Sequence, residues 1–416
     1  MASRTKAAAH KTAASSSASL SFAAGFVIPA AHKLCLSRLS KPGMKLLVLA
    51  QIPPPVHGQS TMVRTLVEDL PTEGVQLHHV NLSLSENARD IGRWRARKAT
   101  RVLQAAMRAI NGRLRHRCDT LYYVPAPPGK RGALFRDWLL MALCRPWFPR
   151  LVLHWHAPGL GAWLSTRATT LERVITRFLL SGADPAIVLS SALRKDAEMF
   201  GPKRVEIVPN GVDDPGPPRG RPPVESEFRV LFLGFCHEQK GVFAAAGAVL
   251  AANRSRRREA SPLFVLEVAG PSPDEATSAR LRALAREHPG EIRLHGEVGP
   301  LQRQEILDHC HVLCLPTKYE AEGMPLVVLE AFARDRPVIT SDWRALRETV
   351  TPEVGRLVQS GSENAIAAAL QSELETPIAP GEPRRRFLQL HSRALHARAL
   401  AKALRGTEPP AVGPTK

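Results

Sequence analysis

Short apolar runs rich in β-branched residues recur along the first half of the chain, at 45–50, 76–81, 120–124, 150–154, 185–189 and 204–208. Longer stretches with helical spacing separate them, such as 59–70, 131–144 and 167–180. Alternation of this kind predicts βαβ units and a parallel sheet, because parallel neighbours need a long crossover between them. The pattern stops at 213–223, DDPGPPRGRPP, where five prolines within eleven residues fit neither a helix nor a central strand and predict a linker. It then restarts, with strands at 229–235, 263–269, 292–296, 311–315 and 337–340. Helices are expected near 241–253, 274–288, 301–309, 325–334 and 363–372. The expectation is an α/β chain with two Rossmann-like, doubly wound parallel-sheet domains, 44–214 and 215–380, facing each other. Ligands of such sheets sit beyond the carboxyl ends of the strands, so the loops that follow the strands are where chemistry should be sought.

Size and composition agree with this. A chain of 416 residues exceeds what one hydrophobic core usually serves and suits two. With 44% hydrophobic and 23% charged residues it has the makings of a folded body, which excludes wholesale disorder. The longest apolar candidate for a membrane span, residues 20–31, is too short and contains Gly25 and Pro29, so an integral membrane protein is excluded. The six cysteines, at 35, 118, 144, 236, 310 and 314, have no paired spacing and predict reduced thiols in a cytoplasmic protein. His309, Cys310, His311 and Cys314 lie where a helix should meet a strand. Their side chains would scatter, so buried packing is favoured there over a metal site.

The net charge of +19 is local. Three acid-free segments, 1–43, 93–117 and 384–405, hold 22 of the 57 basic residues, and the rest of the chain is slightly acidic. Those segments lack interleaved aromatics, and no nucleic-acid-binding signature accompanies them, so nucleic acid is not expected as a partner. Residues 1–43, rich in Ala and Ser, precede a strand that opens at Met44. Three origins fit: a secretory signal, an organellar transit peptide, or a translated leader upstream of Met44 as the true start, which is preferred.

Three loops carry distinctive chemistry. After 45–50 comes QIPPPVHGQS, in which prolines stiffen the approach and Gly58 lets backbone come close to a ligand ahead of a helix. After 229–235 comes LGFCHEQKG, where Gly234 opens a loop and Lys240 stands at a helix entrance; an ammonium beside free helix amides suits a diphosphate. A structural turn explains the first loop about as well, and a solvated lysine is the commoner explanation of the second. The third loop, PTKYEAEGMPLVVLEA, is the strongest. Pro325 fits a first helical position, Gly323, Met324 and Leu326 then offer free amides to an anion, and Glu322 and Glu330 flank the helix mouth. Carboxylates are poor phosphate ligands but good acceptors for sugar hydroxyls on either side of a diphosphate.

The Glu, seven residues, Glu spacing in EGMPLVVLEA, together with VEIVPNGVD at 205–213, LGFCHEQKG at 233–241 and PPPVHGQS at 53–60, resembles the family-4 retaining glycosyltransferases. That resemblance implies the GT-B fold, with the active site in the cleft between two Rossmann-like domains. It also implies that the last helix, within 381–416, returns across the first domain. By resemblance Glu322 binds the donor sugar's hydroxyls, Glu330 the ribose, Lys240 the diphosphate, and Gly58 lies near donor and acceptor. His156 corresponds to the family's cleft histidine, with His154, inside the strand, as the less favoured alternative. An arginine often follows the glycine of the phosphate loop in the family; here that residue is Phe235.

The implied activity is retaining transfer of a hexose-type sugar from a nucleotide-diphosphate sugar to a hydroxyl acceptor, a glycan or a lipid-linked envelope precursor. No Asp-any-Asp clamp is found, so no metal and no cofactor are expected. A non-catalytic nucleotide-sugar-binding subunit and a sugar-nucleotide epimerase on the same fold are the alternatives. Segment 93–117, with Leu103, Met107, Ile110 and Leu114 at helical spacing among arginines, reads as a cationic amphipathic helix. Two roles fit it equally. It could lie on an anionic membrane surface as a peripheral anchor, with 384–405 on the same side, or it could pack its apolar stripe on the sheet.

Overall fold

The computed structural model describes residues 44–82, 96–255 and 262–406, without the side chains of 96–98. The leader 1–43, the start of the basic segment at 93–95 and the tail after 406 lie outside the described residues. The described residues belong to one compact unit built on two six-stranded sheets, every pairing of which is parallel.

The first sheet follows the alternation closely: β1 (Lys45–Ala50), α1 (Gly58–Asp69), β2 (Gln76–Asn81), α2 (Ala96–His116), β3 (Thr120–Tyr123), α3 (Arg131–Cys144) and β4 (Arg150–Trp155). A short helix that the pattern does not announce, α4 (Leu160–Thr166), comes first, and the helix expected over 167–180 is α5 (Thr170–Leu180). Thr169 opens the second by accepting from the Glu172 amide while Glu172 reaches back, a reciprocal cap that stops the chain running through. Then come β5 (Ala186–Val188), α6 (Arg194–Glu198) and β6 (Val205–Ile207), in spatial order β2-β1-β3-β4-β5-β6.

The second sheet contains β7 (Glu227–Leu233), α7 (Val242–Arg254), β8 (Leu263–Ala269), α8 (Glu275–Glu287), β9 (Ile292–Gly296), α9 (Pro300–His309), β10 (Val312–Leu315), α10 (Leu326–Ala333), β11 (Val338–Ser341) and α11 (Leu346–Thr349). It ends on β12 (Gly355–Val358), a strand the sequence pattern does not announce, and α12 (Glu363–Glu375). Its order, β12-β11-β10-β7-β8-β9, reverses direction between β7 and β10, the place where doubly wound sheets bind ligands.

Side chains alternate along β1. Leu47 and Leu49 face a core with α2 and α3, while Leu46 and Val48 face the opposite layer with α1. The last helices, α13 (Glu382–Leu390) and α14 (Arg393–Arg405), return from the second sheet, and Leu400 and Leu404 of α14 pack in the Leu46/Val48 layer. The basic segment 384–405 is therefore divided: α13 meets α10 of the second sheet, and α14 lies across the first sheet from α2, contrary to the expectation of one shared side. Its arginines are also engaged: Arg393 meets Glu68, Asp69 and Asp213, and Arg384 meets Asp214.

The helix α2 excludes one of the two roles its sequence left open, the packing of its large apolar stripe on the sheet. It packs through Val102, Ala105, Ala106 and Ala109, and at Gly112 a Cβ would come within 2.7 Å of the His78 ring. Small residues let the helix lie close to the sheet, and the larger Leu103, Met107 and Leu114 are turned outward. Among the described residues no helix is long and apolar enough to cross a membrane.

Candidate functional site

The loops after β7 and β10 emerge side by side at the reversal of strand order, and close backbone contacts hold them there. Gly234, at φ +135°, bonds the Ala269 carbonyl through its amide at 2.9 Å, and its own carbonyl would sit 1.8 Å from a Cβ on Gly270. No side chain fits at Gly270, so the loop lies flat on the end of β8. A single 3-10 turn, Glu238–Lys240, follows; the His237 ring caps it by accepting from the Gln239 amide at 3.1 Å. Gly241, at φ +89°, then passes the Pro316 carbonyl so closely that a Cβ would lie 2.4 Å away. The Gln239 carbonyl accepts from the Lys318 amide at 2.7 Å and from the Thr317 hydroxyl at 3.3 Å.

That zipper brings Lys240 to Glu322. Lys240 Nζ lies 2.5 Å from Glu322 Oε2, and the Thr317 hydroxyl donates to the same oxygen at 3.1 Å. Nζ also stands 5.2 Å from the centre of the Tyr319 ring, within cation-π range. Glu322 is buried, and these two partners offset the cost of desolvating its side chain. Phe235, in the position where the family often has arginine, is exposed and lies parallel to the His237 ring at 6.2 Å.

The mouth of α10 differs in detail from the sequence expectation. Pro325 is the cap and not the first helical residue: its φ of −66° is helical but its ψ of 126° is extended, so the helix starts at Leu326. The amides at this end have no acceptor inside the helix and give it a partial positive charge. The Met324 carbonyl accepts from Asn210 Nδ2 at 3.0 Å, which ties the mouth to the segment that leaves the first sheet.

Two residues of the first sheet meet this mouth. A Cβ on Gly323 would lie 2.3 Å from the His156 carbonyl oxygen, so the loop after β4 and the loop after β10 touch through their backbones. Gly58, the first residue of α1, faces Leu326, whose Cγ would be 3.9 Å from a Cβ placed there. Gly58, His156, Gly323, Met324 and Leu326 are thus one cluster, next to the Lys240 and Glu322 pair.

His156 is buried, and burial, reinforced by the nearby imidazoles of His396 and His57, holds its pKa down to about 3. It is a neutral ring at physiological pH, able to donate and accept at once. The alternative, His154, lies inside β4 with its ring 4.1 Å from that of His156. Its Nδ1 is 2.5 Å from the Tyr122 hydroxyl, which burial keeps protonated, while its buried Nε2 meets no partner among the described residues.

Glu330 meets α9 instead, with Oε2 2.5 Å from Arg303 Nη2. The contact is close, but its angle leaves Oε2 outside hydrogen-bond geometry. Burial raises the Glu330 pKa and Arg303 opposes that rise. Glu322 and Glu330 consequently answer to different cations.

Sequence reasoning missed Thr317, Asn210 and Arg303. Asn210 stands within the quoted VPNGVD and could have been found; Arg303 had no local signal, since only the packing of α9 on α10 brings it near. Around the dense histidine and cysteine spot, His311 Nδ1 accepts from the Arg229 amide at 2.8 Å and burial pushes the Cys310 and Cys314 thiols up to about 12. Among the described residues no three potential ligands converge on a metal position.

Residues 227–376 match the family of glycosyl transferases group 1. Solved structures of similar fold include a sucrose-phosphate synthase from Thermosynechococcus elongatus, 18% identical, covering 87% of this chain and 98% of that one, with a TM-score of 0.65. Anabaena HepE in complex with UDP and glucose is 14% identical over 87% of this chain and 99% of that one, with a TM-score of 0.63. The lipopolysaccharide outer core galactosyltransferase WaaB gives the same identity, coverages and score. No curated protein matches the chain.

Proposed function

We propose that this chain, a glycosyltransferase of group 1 with the GT-B fold, moves a hexose-type sugar from a nucleotide-diphosphate sugar to a hydroxyl acceptor with retention of configuration. The observation that carries the reading is the Lys240 to Glu322 contact of 2.5 Å at the mouth of α10, on the two loops that leave the strand-order reversal. A cation and unpaired helix amides stand where an anion would be bound, and a carboxylate stands where sugar hydroxyls would need an acceptor.

In this reading the donor diphosphate takes Lys240 Nζ and the amides around Gly323 and Leu326, and displaces the ammonium from Glu322. The freed carboxylate accepts from hydroxyls of the sugar. Glu330 accepts from the ribose, and Gly234 gives the diphosphate an open approach, since no atom lies within 4 Å of its missing Cβ. As the bond from the sugar's C1 to the diphosphate oxygen breaks, negative charge grows on that oxygen, and groups already in place stabilise it without reorganisation. The acceptor oxygen bonds to C1 on the same face and its proton passes to the departing phosphate oxygen. Neutral His156 and Gly58 border the reacting sugar, and no protein nucleophile is required. The acceptor is a glycan or a lipid-linked envelope precursor; the enzyme would work in the cytoplasm, and on the inner face of the membrane where the acceptor is lipid-linked.

HepE was crystallised with UDP and with UDP-glucose, so uridine is the first base to test. Purified protein incubated with UDP-, GDP- and ADP-sugars should release nucleoside diphosphate slowly from one of them, and Lys240→Ala should abolish the release. Donor binding without release from any of them would make the chain a binding subunit, and appearance of an epimerised donor would make it an epimerase.

A further inference from the structure

We infer that the outer face of α2, α3 and α5 docks on an anionic phospholipid surface. This deepens the proposal of a membrane-linked acceptor by naming the surface that would meet the bilayer.

Two apolar stripes are exposed there. On α2, Leu103, Met107 and Leu114 recur at helical spacing on the side away from the packed Val102 and Ala105, and Met107 is 58% exposed. On α5, Leu171, Val174 and Phe178 do the same opposite the buried Thr176 and Leu180, and Phe178 is 75% exposed. The helix α3 lies between them. Arg113 of α2 donates to the Trp147 carbonyl just after α3, and Trp138 of α3 donates to Thr176 of α5 at 2.8 Å. All three helices cover the Leu47/Leu49 side of the first sheet, so both stripes point away from the same layer. Two apolar stripes on one outer layer, with the half-exposed Phe135 of α3 between them, offer more apolar surface than solitary exposed residues do.

Charge selects the occupant. The described part of α2 has no acid, and the two acids of the other helices are buried. Asp137 pairs with Arg136 at 2.7 Å, and Glu172 pairs with Arg131 at 2.7 Å. The face therefore presents no exposed carboxylate on these helices, while Arg108 and Arg115 flank the α2 stripe and Arg177 flanks that of α5. A second copy docking by the same face would set arginines against arginines. A bilayer with anionic headgroups accepts both features, the apolar side chains entering the headgroup boundary and the guanidinium groups meeting phosphate.

Flotation of the full chain with vesicles of phosphatidylglycerol and phosphatidylcholine, against phosphatidylcholine alone, tests the inference. Binding should favour the anionic vesicles by tenfold or more and fall severalfold at high salt. Two surface variants, Leu171→Ser with Phe178→Ser and Arg108→Glu with Arg115→Glu, should each lose tenfold or more while keeping the parent's thermal unfolding and its shift with UDP. Equal binding to both vesicle types would overturn the inference. So would undiminished binding of both variants, which would assign attachment to the basic leader. Conversion of a dimer to a monomer by the first variant would give the face to a second copy. Failure of sugar transfer with vesicle binding intact would remove the enzymatic proposal alone.

Discussion

Gly323 and His156 belong to loops of different sheets and meet through their backbones, with room for a hydrogen between them and none for a methyl group. Gly323→Ala has to push the loop after β4 away from the mouth of α10. We expect a loss of about 1–3 kcal/mol in unfolding free energy, typical of overpacking, and a disproportionate fall in kcat/KM, about 10- to 100-fold, because the reacting groups are misplaced. Urea unfolding and donor turnover on the same sample check both. Reduced stability with unaltered turnover would show that the contact only supports the fold.

The Lys240 and Glu322 pair predicts that two substitutions differ in kind. Lys240→Ala leaves a buried carboxylate with only the Thr317 hydroxyl, so it should cost about 3 kcal/mol or less of stability and most of the affinity for nucleoside diphosphate. Glu322→Gln keeps an acceptor for Lys240 and Thr317 and should fold normally. It should bind UDP, or whichever diphosphate proves cognate, as the parent does, yet transfer sugar 100-fold more slowly. Calorimetry with the diphosphate alone separates the cases. Equal loss of diphosphate affinity in both variants would place Glu322 in phosphate binding.

Buried histidines set the response to acid. Burial holds His156 near 3 and His391 at about 4, both below the value of about 6.5 they have in an unfolded chain. The unfolded state takes up protons first as pH falls, so their contribution is intact above pH 6.5 and declines below it. The loss is about 2 kcal/mol for each between pH 7 and pH 5. His391 lies between α13 and α14, outside the candidate site, and its Nδ1 is 3.3 Å from the Asn210 carbonyl. In His391→Gln the decline of unfolding free energy over that interval should be shallower by that amount, measured by urea titration at each pH. An unchanged slope would mean that His391 titrates normally in the fold.

The fold was legible because its strands are short apolar runs separated by helical spacing, and both sheets follow that alternation. What escaped was what packing decides. The strand β12 is half-exposed and lacks a continuous apolar run. The sequence left open which side of α2 is buried, because the apolar stripe of large residues fits a membrane surface and the sheet equally. Its packed side is Val102 with Ala and Gly, small residues that allow close approach to the sheet, and size alone does not reveal that. At the candidate site Lys240, Glu322, Gly323 and Gly58 could be read from loops that follow strands, whereas Arg303 arrives from a helix with no motif of its own.

Arg303 supplies the last prediction. Glu330 would have to accept from ribose hydroxyls as a carboxylate, yet burial favours its protonated form and Arg303 is the cation that opposes this. Removing that cation in Arg303→Ala should raise the Glu330 pKa further, so the carboxylate is lost at a higher pH than in the parent. The rise of donor KM on acidification should then set in at higher pH in the variant than in the parent, and Arg303→Lys should restore the parent's profile. Because protonation alters binding of the nucleotide and not the bond-breaking step, kcat at saturating donor should stay level in all three. If instead kcat followed pH and KM did not, Glu330 would be acting on the reacting sugar, and the assignment of the two acids to ribose and sugar would have to be exchanged.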